Sequence, residues 1–481
     1  MSTVVKPSRN EEASPQSTPR HALLSPGYRR LFVATLFLVC FFNFADRALF
    51  SVLAQTIKQE FGLSDLEIGV LQGVGFALLF VVLGVPIGRL AEHKSRVRIV
   101  AIATMVWSVA TAACGLTGSF LQLLLARVGV GIGEAGFMPP TASLVADHFP
   151  REQRASVMSL ILIGTPVGLF LGSITGGAIA HSMGWRSAFF VLGVPGLLAG
   201  LLVLFVLREP SRGLVEGAAP VQRDPPNFRT FLTVVCKKRA LLLVIAGGAI
   251  AGFTMTSISQ FTAVFLARAH HMAVREAAVY YGSISGVSLA LGFVLGSFGT
   301  DWLARRDQRW PAWGAAIGLC VAPFVYWIAF NTAGKFAAAT LLTVAGTMML
   351  LFYGPTQGMI QNMLEPRMRA TGAAVFSMLY TLVGAGLGPT FVGWASDRFA
   401  QAAYRGGEFM TRCRADLLAA ATDQGWAQAC RAASTEGIRG ALMIAVGVLF
   451  AAGALFLIAS RTLREHIYDP GTEQSSRSSQ P

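Results

Sequence analysis

The sequence predicts an all-α membrane protein of twelve transmembrane helices arranged as two six-helix bundles. Three observations carry this prediction. The 481 residues are 53% hydrophobic and 13% charged, with a mean hydropathy of +0.56, too apolar for a water-soluble chain of this length. Runs of the roughly 20 apolar residues that a membrane helix needs recur along the whole chain. A polar, basic segment, residues 208–239, divides those runs six and six.

Residues 1–28 are rich in Ser, Pro and charge and lack an apolar core ahead of a small-residue cleavage site, so the first span itself is expected to target the chain. Six spans follow at approximately 30–55, 66–90, 97–117, 120–145, 154–180 and 186–207, forming an N-terminal bundle over 29–207. The linker carries Arg208, Arg212, Arg223, Arg229, Lys237, Lys238 and Arg239 among several prolines. Spans at 240–267, 277–299, 311–331, 336–361, 370–397 and 437–460 make a C-terminal bundle over 240–460, interrupted by a long loop, 398–436, and followed by a tail, 461–481.

An internal repeat supports the division. Phe149, Pro150, Arg151, Glu152, Gln153, Arg154, Ala155 and Ser156 are echoed by Glu365, Pro366, Arg367, Met368, Arg369, Ala370 and Thr371. Each copy precedes a span rich in small residues, with Gly164, Pro166, Gly168, Gly172 and Gly176 in one half and Gly384, Gly386, Gly388 and Pro389 in the other. Small residues at such spacing let helices approach closely or bend, and two related halves around a midplane site are the architecture of a rocking transporter.

Lys and Arg concentrate in alternate loops: Arg89, Lys94, Arg96 and Arg98; Arg151 and Arg154; Arg305, Arg306 and Arg309; Arg367 and Arg369. Positive residues are retained on the cytoplasmic side of short loops, which predicts both termini and the linker in the cytoplasm of a bacterial inner membrane. The loop 398–436 breaks the pattern with Arg398, Arg405, Arg412 and Arg414, but long loops obey the rule poorly. A net charge of +14 is therefore topological, not a nucleic-acid footprint. The six cysteines form no metal spacing. Cys413 and Cys430 share the outer loop, where a disulfide is plausible and two free thiols are the alternative.

Asp46 and Arg47 in the first span and Arg127 and Glu134 in the fourth are ionisable groups at membrane depth. Such groups are costly there and mark a substrate or proton path. Arg127 and Glu134 lie seven positions apart, nearly on one helix face. They are separated by about 10 Å along the axis, too far for a rigid mutual bridge, so each needs another partner. Desolvation and a neighbouring arginine push a carboxylate's pKa in opposite directions, so a moving arginine would switch Asp46 or Glu134 between protonated and ionised forms. Arg47 and Arg127 could equally bind an anionic headgroup. The bland alternative is a static ion-pair network. Gln260, Tyr353, Gln357 and Gln361 offer uncharged polar groups at helical spacing, either to a substrate or to neighbouring helices. His270 and His271 fall at headgroup level.

Gly88, Arg89, Leu90, Ala91, Glu92, His93, Lys94, Ser95 and Arg96 resemble the cytoplasmic signature of the major facilitator superfamily, with Glu92 where Asp is usual and Ser95 where Gly is usual. The resemblance implies an inner gate of Gly88, Arg89, Glu92 and Arg96, with a poorer copy in Asp301, Arg305 and Arg306. Asn43, Phe44, Ala45, Asp46 and Arg47, then Glu60 to Ser64, Gly69, Leu71 and Gln72, look like the start of the spinster family within that superfamily. Arg127, Gly129, Gly131, Gly133, Glu134, Ala135, Ala146, Asp147, Phe149, Arg154 and Arg208 to Gly213 continue the likeness. The resemblance implies a major facilitator fold with pseudo-two-fold symmetry, Asn43 among the cavity residues, and a lysophospholipid- or sphingolipid-like cargo.

The expected function is secondary transport by alternating access, proton-coupled through Asp46 or Glu134, acting as a monomer on a lipid-like amphiphilic anion. A proton-coupled carrier of small organic anions or drugs is the alternative, and a transporter-like ligand sensor a distant one. No phosphate loop, zinc-type His-Glu-x-x-His or serine-nucleophile motif occurs, so neither enzyme activity nor a cofactor or metal is expected.

Overall fold

The computed structural model describes residues 25–467 apart from 212–214, 216–227, 366–367, 415–416 and 418–422. Most of both tails and of the linker, including Arg212 and Arg223, lies outside them, as does Arg367 of the repeat. Among the described residues, twelve helices are long and apolar enough to cross a membrane. They are α1 Pro26–Phe61, α2 Asp65–His93, α3 Arg96–Cys114, α4 Phe120–His148, α5 Ser156–Met183, α6 Trp185–Val206, α7 Arg239–Ala269, α8 Val274–Ala304, α9 Trp310–Asn331, α10 Lys335–Met363, α11 Thr371–Ala403 and α12 Gln424–His466.

Local chemistry sets the ends. Ser25 caps α1, with Pro26 at its first helical position, and Gly62 ends it at φ 65°, a left-handed conformation that glycine adopts without a Cβ penalty. Ser64 and Glu67 form a reciprocal capping box at the start of α2. Asp423 accepts from the backbone amides of Gly425 and Trp426 at the head of α12. That helix begins well before the expected residue 437, and α11 continues to Ala403, so the expected loop 398–436 narrows to 404–423. The linker holds an amphipathic helix, Phe228–Lys237, ahead of Lys238. Lys238 donates to the carbonyls of Met363 and His466, tying the linker to the ends of α10 and α12.

The repeat has a structural counterpart. Arg154 Nε donates to the Phe149 carbonyl at 3.1 Å and Arg369 Nε to the Leu364 carbonyl at 3.3 Å. Each arginine thus caps, from five residues away, the end of the preceding span.

Helix α5 lies directly on α1, as its small residues allow. A Cβ added at Gly164 would stand 2.8 Å from the Phe37 carbonyl oxygen, and one at Gly172 2.6 Å from the Ala45 Cα. Two further seams join the bundles. In the α5–α8 seam, Gly282 meets Phe170 and Ser173, and Gly286 meets Pro166 and Phe170. In the α2–α11 seam, Gly73 packs on Gly386 and Thr390, and Gly69 on Pro389. Both seams run from the end of the molecule away from the tails to its middle. Among the described residues, no comparable contact between bundles occurs at the tail end. The halves therefore meet at the far end and diverge towards the end carrying both tails.

Around the middle the helices are interrupted. α2 breaks at Gly73, α4 at residues 135–137 and α10 at residues 351–352, while α11 carries a π-helical stretch, Tyr380–Leu387. Such irregularities free backbone groups and redirect side chains where a cavity must be lined.

Candidate functional site

A cavity of about 460 Å³ sits between the bundles at these interruptions. Arg47 from α1 faces it, and its guanidinium clasps Glu134 of α4 through Nη2 and through Nε at 2.8 Å. The Glu134 side chain is fully buried, whereas that of Arg47 keeps 28% exposure. The same guanidinium lies over the rings of Phe76 and Phe44, 4.8 and 5.2 Å from their centroids, which adds cation–π attraction. Arg127 lies over Phe50 at 4.5 Å, and its Nε donates to the Leu71 carbonyl at 3.5 Å.

Only one of the two fourth-span charges thus finds an ionic partner in the first span. Arg47 meets Glu134, but Asp46 makes no hydrogen bond to Arg127 and does not line the cavity. Asp46 instead accepts from the Thr111 hydroxyl of α3 at 3.0 Å. Consecutive helical residues point about 100° apart, so Asp46 and Arg47 cannot serve one wall. One oxygen of each buried acid, Asp46 Oδ1 and Glu134 Oε1, has no hydrogen-bond partner.

Asn43, Gln260 and Tyr353 line the cavity as expected. Gln260 is bonded by the Ser51 hydroxyl, an α1–α7 link between the halves. Gln357 and Gln361 do not line it. Their stripe climbs about 12 Å from Tyr353 along α10 and leaves the midplane; Gln357 bonds Tyr353 and Gln361 is exposed. Two lining groups carry more weight than sequence suggested. Tyr380 on the π-helical stretch packs edge-on against Tyr353 at 5.6 Å. Gln72, beside the α2 break, is 1% exposed, and neither its amide oxygen nor its amide nitrogen has a partner. Only spatial closure around Gly73 distinguishes Gln72 from any other buried glutamine.

At the tail end, Arg96 is the centre of the signature. Its side chain bonds Asp147, Glu209 Oε1 at 2.8 Å, Ser143 Oγ at 2.9 Å and the Pro210 carbonyl at 3.1 Å. Glu209 also caps α3 through the Ser95 hydroxyl and the Val97 amide. The rest of the expected gate is not assembled. Arg89 and Glu92 are exposed, and a Cβ at Gly88 would meet nothing within 4 Å, because the bundles stand apart here. Arg305 is exposed, and the Asp301 side chain lies outside those described.

An assembled ion cluster between the bundles lies instead at the far end, and sequence reading missed it. Asp65 receives Lys58 at 2.5 Å, both terminal nitrogens of Arg268 at 2.6 and 2.7 Å, and the Ser396 hydroxyl at 2.6 Å. Asp397 in turn accepts from the backbone amides of Asp65 and Leu66, at 3.0 and 2.8 Å. Helix α11 thereby caps the first turn of α2 across the bundle interface. The available signal was an acid at the head of one span and an arginine at the end of another, which read as ordinary interfacial charges. On the same side, Cys413 and Cys430 are bonded, with their Cα atoms 5.5 Å apart.

Residues 36–389 match the family described as Major Facilitator Superfamily. An MFS-type efflux pump of Mycolicibacterium smegmatis is 32% identical over 365 residues, 76% of this chain and 84% of the relative. The sphingosine-1-phosphate transporter SPNS2 of Xenopus tropicalis is 25% identical over 375 residues, 75% of this chain and 72% of the relative. The crystal structure of a bacterial homolog to the human lysosomal transporter Spinster, inward-facing and unoccupied, superposes with a TM-score of 0.84. It is 31% identical, and the match covers 93% of this chain and all of that one.

Proposed function

Because the chain belongs to the major facilitator superfamily and to its spinster branch, we propose that it moves an amphiphilic anion across the membrane by alternating access, coupled to protons. The observation that carries this reading is the central cavity. A part-exposed guanidinium, Arg47, and the unpartnered amide of Gln72 provide a headgroup site, while Phe44, Phe76, Phe80 and Phe137 supply apolar wall for a chain. The α5–α8 and α2–α11 seams close only from the far end to the middle, leaving a path by which an acyl tail could lie between bundles. With the basic loops on the cytoplasmic side, the divergent tail end faces inward and the Asp65 cluster is the outer gate.

Coupling follows from charge balance. Arg47 neutralises the fully buried Glu134 carboxylate, and an anionic headgroup competes for the same part-exposed guanidinium. When Arg47 turns to the headgroup, Glu134 is left buried without a counter-charge, a state costing about 3–5 kcal/mol. A proton on Glu134 removes that cost. Asp46, held by Thr111 behind the cavity, is the second acid of the relay. The relatedness to the sphingosine-1-phosphate transporter of Xenopus tropicalis favours a lysolipid-like cargo; a small organic anion held by Arg47 alone is the alternative.

Uptake into proteoliposomes under an imposed pH gradient separates these readings, with a fluorescent lysophospholipid beside a small aromatic acid and wild type beside Glu134→Gln. Gradient-driven lysolipid movement that falls by about 10²-fold in the variant, the loss of a ~2.7 kcal/mol contribution, is the expected result. Transport indifferent to gradient and substitution would reduce the charges to structural ion pairs.

A further inference from the structure

At the far end, above the closed gate, lies a second cavity of about 950 Å³. It is enclosed by the ends of α1 and α7, the start of α8, and the segment braced by the Cys413–Cys430 bond. Its floor carries Lys58 and Arg268, the two cations of the gate, whose charge Asp65 and Asp397 balance. Its walls add Arg414, Arg431 and the imidazole of His271. The one wall carboxylate among the described residues, Glu60, is engaged elsewhere: Trp185 Nε1 and Arg186 Nη1 each donate to it at 2.5 Å. No acid of the described residues pairs with Arg431, which leaves positive charge on this wall that none of its described neighbours balances.

His271 adds an independent observation. It is the one described non-glycine residue with positive φ, at 53°, and it turns the chain at the cavity wall immediately after the end of α7. This left-handed turn ends α7 and leaves the exposed His271 ring at the cavity mouth. Apolar surface from Val52, Leu63 and Phe409 lies beside these cations.

We propose that this outer vestibule is a second binding site, for a phosphate-type oxyanion, formed by Arg431, His271 and Arg268. Such an anion competes with Asp65 and Gln55 for the Arg268 guanidinium, whose fork locks the bundles together. Occupancy from outside thus weakens the gate. The site is separate from the central cavity and does not depend on what that cavity carries.

The test uses the full-length, disulfide-intact protein in lipid nanodiscs and calorimetric titration with octyl phosphate, inorganic phosphate and octanol. The variants are Arg431→Glu with His271→Ala at the vestibule, and Arg47→Gln with Arg127→Gln at the central cavity. The expected result is an octyl phosphate binding event that survives the central substitutions and weakens by about tenfold or more, 1.4 kcal/mol per decade, in the vestibule variant. Arg431→Lys should retain it, which separates loss of charge from misfolding. Inorganic phosphate binding with the same sensitivities identifies free phosphate as the ligand; binding of octyl phosphate alone identifies a lipid headgroup. The proposal is overturned if no event is lost on Arg431→Glu, if all binding disappears with the central substitutions, or if octanol binds as octyl phosphate does. Loss of the central event alone would bear on the transport reading and leave the vestibule standing.

Discussion

Replacing Asp65 by Asn should open the far end of the molecule. The substitution keeps the side chain's shape and removes the charge that Lys58 and Arg268 share. The side chains involved are 3% exposed for Asp65, 6% for Arg268 and 17% for Lys58, so water screens the loss little. Removing one partner of a buried ion pair costs about 3–5 kcal/mol. Because Asp65 and Lys58 belong to one bundle and Arg268 to the other, the inter-bundle part of that cost falls only on the conformation in which they meet. At about 1.4 kcal/mol per decade, the closed-to-open equilibrium should move by about 10²- to 10³-fold. Spin labels at Ser182 and Asn331, on the far ends of α5 and α9, would report the change as a longer distance distribution in double electron–electron resonance. Adding Arg268→Gln should recover part of the closed population, since it removes the stranded guanidinium. A distance distribution unchanged in Asp65→Asn would refute the assignment of this cluster as the gate.

Arg96→Ala should lower stability by about 1–3 kcal/mol, because Asp147 and Glu209 lose a buried charged donor while Glu209 keeps the Ser95 hydroxyl and the Val97 amide; thermal unfolding in detergent measures it, with Arg96→Lys recovering only part for want of the guanidinium fork. Reducing the Cys413–Cys430 bond, which spans 17 positions, should cost up to about 3 kcal/mol of stability. It should affect transport less, and lost transport at an unchanged unfolding midpoint would contradict this. Burial holds His270 below the ordinary histidine range, opposed by its backbone hydrogen bond with Ala333. The unfolded chain then binds the proton first, so stability is full above about pH 6.5 and falls as pH drops towards the lowered native value. His270→Asn should flatten unfolding curves measured between about pH 7 and pH 5 relative to wild type.

Much of the fold is written locally. Length and apolarity mark a membrane helix without reference to any partner, so the twelve spans and the repeat around Arg154 and Arg369 were legible along the chain. The length of α12 was not, because its first turns interleave Gln424, Gln428 and Arg431 with the buried Ala427 and Cys430, and are held by the Asp423 cap and the Cys413–Cys430 bond rather than by a continuous apolar run. In the candidate site, the presence of charge at membrane depth was legible, and so was the likeness of residues 43–47 to a known family. Partnership was not. Asp46 and Arg47 are neighbours in sequence, yet the helical rotation between them sends one to Thr111 and the other to Glu134.

By itself, then, the sequence determined a membrane transporter of two six-helix halves, since transfer of apolar segments from water and the cost of buried charge act residue by residue. Tertiary structure alone decided where its two halves are joined by charge. Asp65 and Arg268 stand 203 positions apart, and nothing in either segment encodes the other. Their meeting depends on how Gly73 and Gly386 let α2 and α11 approach, a relation between helix faces that exists only once the two halves have packed.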